Sequence, residues 1–146
     1  MRILFVCTGN TCRSPMAQAL TEKIAREKNW SLFCDSAGLA AIKGQAVSEY
    51  ALAALEEGFG IRSFQHSAKS VTRAMAAEFD LVVAMTENHK RYLTQAFSCG
   101  EKTVTLPEEV GDPYGSDRKS YLACAKQIEK GLYALIEEGI IRESMP

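Results

Sequence analysis

Near its start the chain carries a short apolar run, "RILFV" (Arg2 to Val6), that stops at Cys7 and gives way at once to a small polar loop. A run that is apolar at successive positions must be buried on both faces. That is the condition of a strand inside a parallel sheet covered on both sides. The loop from Cys7 to Arg13 leads into a segment with helical spacing: Met16, Ala19, Leu20 and Ile24 share one side and the pattern fades near Lys28. Ser14 and Pro15 read as its cap and first residue. A strand followed by a loop and a helix is half of a crossover unit, and it narrows the fold to the α/β class.

The alternation continues. "SLFCDSAG" (Ser31 to Gly38) reads as a second strand running into small residues, and Ser48 to Gly60 as a helix closed by glycines. A short helix is expected from Val71 to Ala77, a strand in "DLVVAM" (Asp80 to Met85), a helix from Glu87 to Phe97 and a fourth strand in "KTVTL" (Lys102 to Leu106). A last helix begins near Asp117 and ends at Gly139, with Tyr121, Ala125, Ile128, Leu132 and Leu135 on one face. The expected architecture is three-layered: a parallel sheet with helices on both faces, in a single domain over residues 1–146.

Composition narrows the function. A net charge of −1 gives no basic face for nucleic acid, and no apolar run approaches the roughly 18 residues of a membrane span. The N-terminus lacks the pattern of a signal peptide, so a cytoplasmic location is expected. Five cysteines, an odd number without framework spacing, read as thiols and not as structural disulfides.

Cys7 and Cys12 can then be metal ligands, a bridge or a nucleophile with its neighbour. Their spacing is wrong for zinc, and His66 and His89 are the only histidines, so no metal is expected. Thr8, Gly9, Asn10 and Thr11 are small or turn-favouring, and such a loop can aim successive N–H groups at an anion. The helix that follows adds its positive end, and Arg13 adds a planar fork suited to phosphoryl oxygens. The same field favours a Cys7 thiolate, and a thiolate in an oxyanion cradle suits attack on phosphorus. A displacement also needs an acid, and Asp112 in "GDPYG" (Gly111 to Gly115) is the candidate. Taken alone, Asp-Pro is an ordinary turn before the last helix.

"VCTGNTCRSP", "DSAG", "DLVVAMTENH" and "DPYG", in this order along the chain, resemble the low-molecular-weight protein tyrosine phosphatases. The resemblance implies a four-stranded parallel sheet with an N-terminal phosphate-binding loop and a phosphocysteine mechanism without cofactor. Cys7 would be the nucleophile. Residues Thr8, Gly9, Asn10, Thr11, Cys12 and Arg13 would bind phosphate. Asp112 would act as acid and then base. It implies that Ser14 bonds the thiolate, that Asn10 is tied to Ser36 and His66, and that Tyr114 faces a wall around Leu39 to Ile42. It also implies that Cys12 can trap an oxidised Cys7 as a reversible disulfide; Cys34, Cys99 and Cys124 read as packing residues.

Thr11 departs from the bulky aliphatic residue of tyrosine-specific members. With Gly115 after "DPY", it resembles the protein-arginine phosphatase branch. Phosphoarginine in proteins is thus the favoured substrate and phosphotyrosine the second. An arsenate reductase-like redox enzyme is the rival on the same fold, but it needs a cysteine just after the third strand, where "VAMTENH" has none. The expected partners are phosphorylated proteins, met by a monomer or weak oligomer, with neither nucleic acid nor membrane.

Overall fold

The structure, a computed structural model, describes residues 1–143; Ser144 to Pro146 of the expected domain lie outside them. Strands β1 (Arg2–Cys7), β2 (Phe33–Gly38), β3 (Leu81–Ala84) and β4 (Thr103–Thr105) form one four-stranded sheet in the order β2-β1-β3-β4. Every pairing is parallel. Helices α1 (Arg13–Lys28), α2 (Glu49–Phe59), α3 (Arg73–Glu78), α4 (Glu87–Phe97) and α5 (Arg118–Glu137) supply the connections and the C-terminal cover. The expected alternation is borne out, with β2, β3 and β4 shorter than their apolar runs. No helix of the described residues is long and apolar enough to cross a membrane.

The central strand shows why the run had to be apolar throughout. Ile3, Phe5 and Cys7 join the layer built by α1, α2 and α5; Leu4 and Val6 join the layer that contains Ala76 of α3 and Leu93 of α4. All five are essentially sealed from solvent. Emptying one position, as in Phe5→Ala, removes about 3–5 kcal/mol of packing. The face expected on the last helix is buried as spaced, and Cys124 is buried beside it.

Sheet order positions the site. From β1 the chain passes through α1 to β2 on one side, then returns to β3 on the other. The crevice above the carboxyl end of β1 lies where the winding reverses, the usual ligand position in open α/β sheets. The pairings Cys7↔Gly38 and Val6↔Ala84 set the height of Cys7 above the sheet from both sides.

The start of α1 differs from expectation. Its N-cap is Cys12, with no side-chain cap bond, so Ser14 and Pro15 are the second and third helical residues. The Ser14 hydroxyl is turned inward, 2.9 Å from Cys7 Sγ and 2.9 Å from Asn10 Nδ2, and cannot cap. Pro15 costs nothing there, because the first four amides of a helix have no partner within it.

Candidate active site

Residues 8–12 curl over the end of β1. Asn10 makes the turn with φ 58°, a left-handed conformation that Asn tolerates better than most residues. Three main-chain bonds hold the loop from outside: Leu39 N to Cys7 O at 3.0 Å, Ala40 N to Thr8 O at 2.9 Å and Ser48 N to Thr11 O at 2.8 Å. In a trans peptide the next N–H points opposite the carbonyl. Outward carbonyls therefore turn the amides of Thr8, Gly9 and Cys12 toward the enclosed side, as an anion-binding nest requires. Gly38 permits the approach, since a Cβ there would lie 2.5 Å from Thr8 O.

The turn is fastened from below by the Asn10 side chain. Its Nδ2 donates to Ser14 Oγ (2.9 Å) and Ser36 Oγ (3.1 Å). Its Oδ1 accepts from Lys69 N at 3.1 Å and lies 2.8 Å from His66 Nε2. An amide oxygen only accepts, so in this arrangement His66 carries its proton on Nε2. Burial, and then the charge of Lys69, depresses the His66 pKa and keeps the ring neutral. The structure thus brings Ser36 and His66 together around Asn10. Gln18 was not expected: its Oε1 accepts from Ser36 Oγ at 2.8 Å.

Two charged groups border the nest. Arg13, 6% exposed, donates through Nη1 to Val110 O at 3.0 Å, and its Nη2 lies 3.7 Å from Asp112 Oδ2. Asp112 is half exposed, with Oδ1 accepting from Tyr114 N at 3.0 Å. Between them opens a cleft of about 350 Å³ lined by Cys7, all of residues 8–13, Ala40, Ile42, Asp112, Tyr114 and Tyr121. Leu39 is not on the wall. It packs against the apolar layer beside β2, because its own amide is bound to Cys7 O, and Ala40 takes the place expected for it. Tyr121, foreseen only as a core residue, is the inner aromatic wall.

His89 entered the sequence reading only as one of two histidines too few for zinc. In the structure its Nε2 lies 2.9 Å from Thr8 Oγ1, so it supports the nest from the α4 side. Burial first, and then the Arg13 charge, pulls its pKa down to about 4, and the ring is neutral at pH 7. The positive charge in the site therefore belongs to Arg13.

Cys34 and Cys99 pack as expected, and burial pushes the Cys34 thiol up to about 12. Cys124 is buried in the same apolar layer as Cys12, with its Sγ 4.0 Å from Gly111 O. The two thiols shift each other: Cys124, and then burial, raises the pKa of Cys12, whereas Cys12, and then Arg13, lowers that of Cys124 against the effect of burial. They share this layer because α1 packs against the buried face of α5.

A cleft of this construction invites comparison with known proteins. The chain matches the low molecular weight phosphotyrosine protein phosphatase family over residues 2–144. A protein-arginine-phosphatase of Bacillus subtilis (strain 168) is 34% identical over 146 residues, with 94% of this chain and 96% of that protein covered. A mutant of the YwlE arginine phosphatase, solved with a phosphorylated active site serine, superposes with a TM-score of 0.89 at 34% identity, covering 94% and 95% of the two chains. A low molecular weight protein tyrosine phosphatase from T. tengcongensis does so with a TM-score of 0.90 at 35% identity, covering 94% and 99%. Since the match takes in every strand, the loop at the end of β1 and the Asp112 segment alike, this chain belongs to the low molecular weight phosphotyrosine protein phosphatase family.

Proposed function

We propose that this protein phosphatase works through a phosphocysteine intermediate and acts on phosphoarginine in proteins. The observation that carries the reading is the convergence on one cleft of a Cys7 Sγ held 2.9 Å from Ser14 Oγ, an amide-lined loop, a buried Arg13 and a half-exposed Asp112. The Cys7 thiolate attacks phosphorus, with Ser14 Oγ as its hydrogen-bond donor. Arg13 and the inward amides neutralise the equatorial oxygens as charge develops. The bond from phosphorus to the leaving group breaks, and Asp112 gives that group its proton. Asp112, now a carboxylate, takes a proton from water. The water attacks the thiophosphate, phosphate departs and Cys7 is a thiolate again.

The preference rests on Thr11, which lines the cleft where a larger aliphatic side chain would narrow it, and on Asp112, which becomes a carboxylate as it protonates the leaving group and then matches the departing guanidinium in charge. Phosphotyrosine is the second reading, favoured by the aromatic walls Tyr114 and Tyr121. Either wall can stack on a phenyl ring or on a guanidinium plane. The arsenate reductase alternative finds less support: Cys99 belongs to the layer on the opposite face of the sheet from Cys7.

Paired kinetics on phosphoarginine and phosphotyrosine peptides test both parts. Cys7→Ser is expected to abolish turnover of both, and residual activity would overturn the nucleophile assignment. Thr11→Ile is expected to move the ratio of kcat/KM toward phosphotyrosine by roughly tenfold or more. An unmoved ratio removes the basis for preferring phosphoarginine.

A further inference from the structure

Beside the amides of the loop stands a side-chain pair, Thr8 and His89, to which the proposed reaction gives no task. The fold places the two together. Strand β3 lies next to β1, and Met85 N donates to Val6 O at 3.1 Å, so the first turn of α4 rises beside the loop. Thr86 caps that turn by accepting from His89 N at 3.2 Å, which fixes the His89 backbone. The His89 side chain is buried, with Nε2 2.9 Å from Thr8 Oγ1. Its Nδ1 is buried without a hydrogen-bond partner among the described residues. A neutral ring carries one proton, and a buried N–H without an acceptor costs more than a bare lone pair. The economical arrangement puts the proton on Nε2, where it is donated to Thr8 Oγ1.

We propose that His89 fixes the Thr8 hydroxyl as a donor into the cleft, where it bonds a phosphoryl oxygen of the substrate. Thr8 is then a catalytic residue and His89 its positioning residue. The proposal deepens the phosphatase reading and rests on the cleft being the place where phosphate binds. A hydroxyl has one proton to give and lone pairs to accept with. His89 occupies a lone pair, so the Thr8 proton cannot be spent on the ring. Thr8 is exposed and lines the cleft, and His89 is its side-chain partner among the described residues. The proton is thus left for a ligand. With the other tautomer, Thr8 would donate to the ring and turn only lone pairs toward the cleft, against the oxygens of a dianion. No proton changes hands in the contact. The hydroxyl adds a neutral donor to the loop amides and Arg13, oriented before the substrate arrives. His89 supplies direction without charge: burial, and then the neighbouring Arg13 cation, keeps the ring neutral.

Inorganic phosphate titrated calorimetrically into Cys7→Ser reads this contact whatever the route of the reaction. Adding Thr8→Val, which keeps the shape and removes the hydroxyl, is expected to weaken phosphate binding by roughly tenfold. Thr8→Ser is expected to retain it. Unchanged affinity with Thr8→Val overturns the proposal. With Cys7 in place, Thr8→Val is expected to lower kcat/KM on phosphoarginine and phosphotyrosine peptides alike, because the phosphoryl group is common to both. A loss confined to one substrate would put the hydroxyl on the leaving group and overturn the assignment. Heteronuclear NMR of the ring nitrogens in the wild-type protein is expected to find the His89 proton on Nε2; a proton on Nδ1 overturns the positioning role. His89→Leu, its folding checked by urea midpoint, is expected to weaken phosphate binding when Thr8 is present and to add nothing to Thr8→Val. A loss that persists in the Thr8→Val background is structural and overturns that role as well. Failure of the phosphocysteine reading would appear separately, as turnover by Cys7→Ser with phosphate binding intact.

Discussion

Residues 8–12 and residues 111–115 face each other across one cleft, yet Asn10 is fully buried with four polar partners, while the Asp112 side chain is 53% exposed and held mainly by a turn within its own loop. In the proposed reaction the two sides have different tasks. A cradle for a dianion lowers a barrier only if its dipoles are already oriented, so that no reorganisation is spent during reaction. An acid that later activates water must meet a leaving group, release it and admit solvent to the same place, which a sealed position forbids. The comparison teaches that preorganisation here is confined to the groups that handle phosphorus.

The sharpest way to break this contrast is Asp112→Ala. It is expected to lower kcat by about 10²–10⁴ on substrates with poor leaving groups, with stability unchanged within about 0.5 kcal/mol. On substrates with good leaving groups, where only the hydrolysis step still needs Asp112, phosphoenzyme should accumulate in rapid-quench measurements. A variant with wild-type kcat would show that the exposed loop carries no chemistry. Asn10→Ala tests the other side. It strands Ser14, Ser36 and His66 together and is expected to cost about 2–3 kcal/mol in urea unfolding, along with activity. An unchanged unfolding midpoint would mean that the cradle is not held by this network.

The smallest effect is a pH dependence that also belongs to the cradle. Below about 6.5 the unfolded chain protonates His89, whereas the folded chain does not until about 4. Stability is therefore complete above pH 6.5 and falls as pH drops from there toward 4, by about 1–2 kcal/mol after screening. The lowered pKa of His66 adds in the same direction. Urea midpoints between pH 4 and 7 should slope upward with pH in the wild type and less so in His89→Gln. Identical slopes would assign the dependence elsewhere.

The order of elements was legible because each strand is an apolar run and each helix has a face; α4 runs over the residues expected. Cys7 and Arg13 were legible as residue types at the ends of elements, and Asp112 as the acid of an Asp-Pro turn in the loop before α5. What escaped were contacts made by helix faces. Gln18 lies one turn after Ser14, so the two share a side of α1 and meet the same buried network, a spacing that can be read from sequence. His89, Tyr121 and Cys124 could not be read this way, because nothing local says which helix passes behind a loop formed far away in the chain. The cap of α1 was misplaced for a related reason: Ser14 is a good capping residue whose hydroxyl is claimed by Cys7 and Asn10.

The outer clamps on the cradle have a consequence for redesign. Leu39, Ala40 and Ser48 hold the loop through backbone N–H groups alone. Their grip does not depend on side-chain identity, so the exposed positions of this stretch, Ala40, Ile42, Lys43 and Gln45, are free to vary, whereas Leu39 and Val47 pack inward and Gly44 turns with φ 85°. New substrate ranges can be sought there, by library or by drift, while the phosphorus chemistry beneath is left alone.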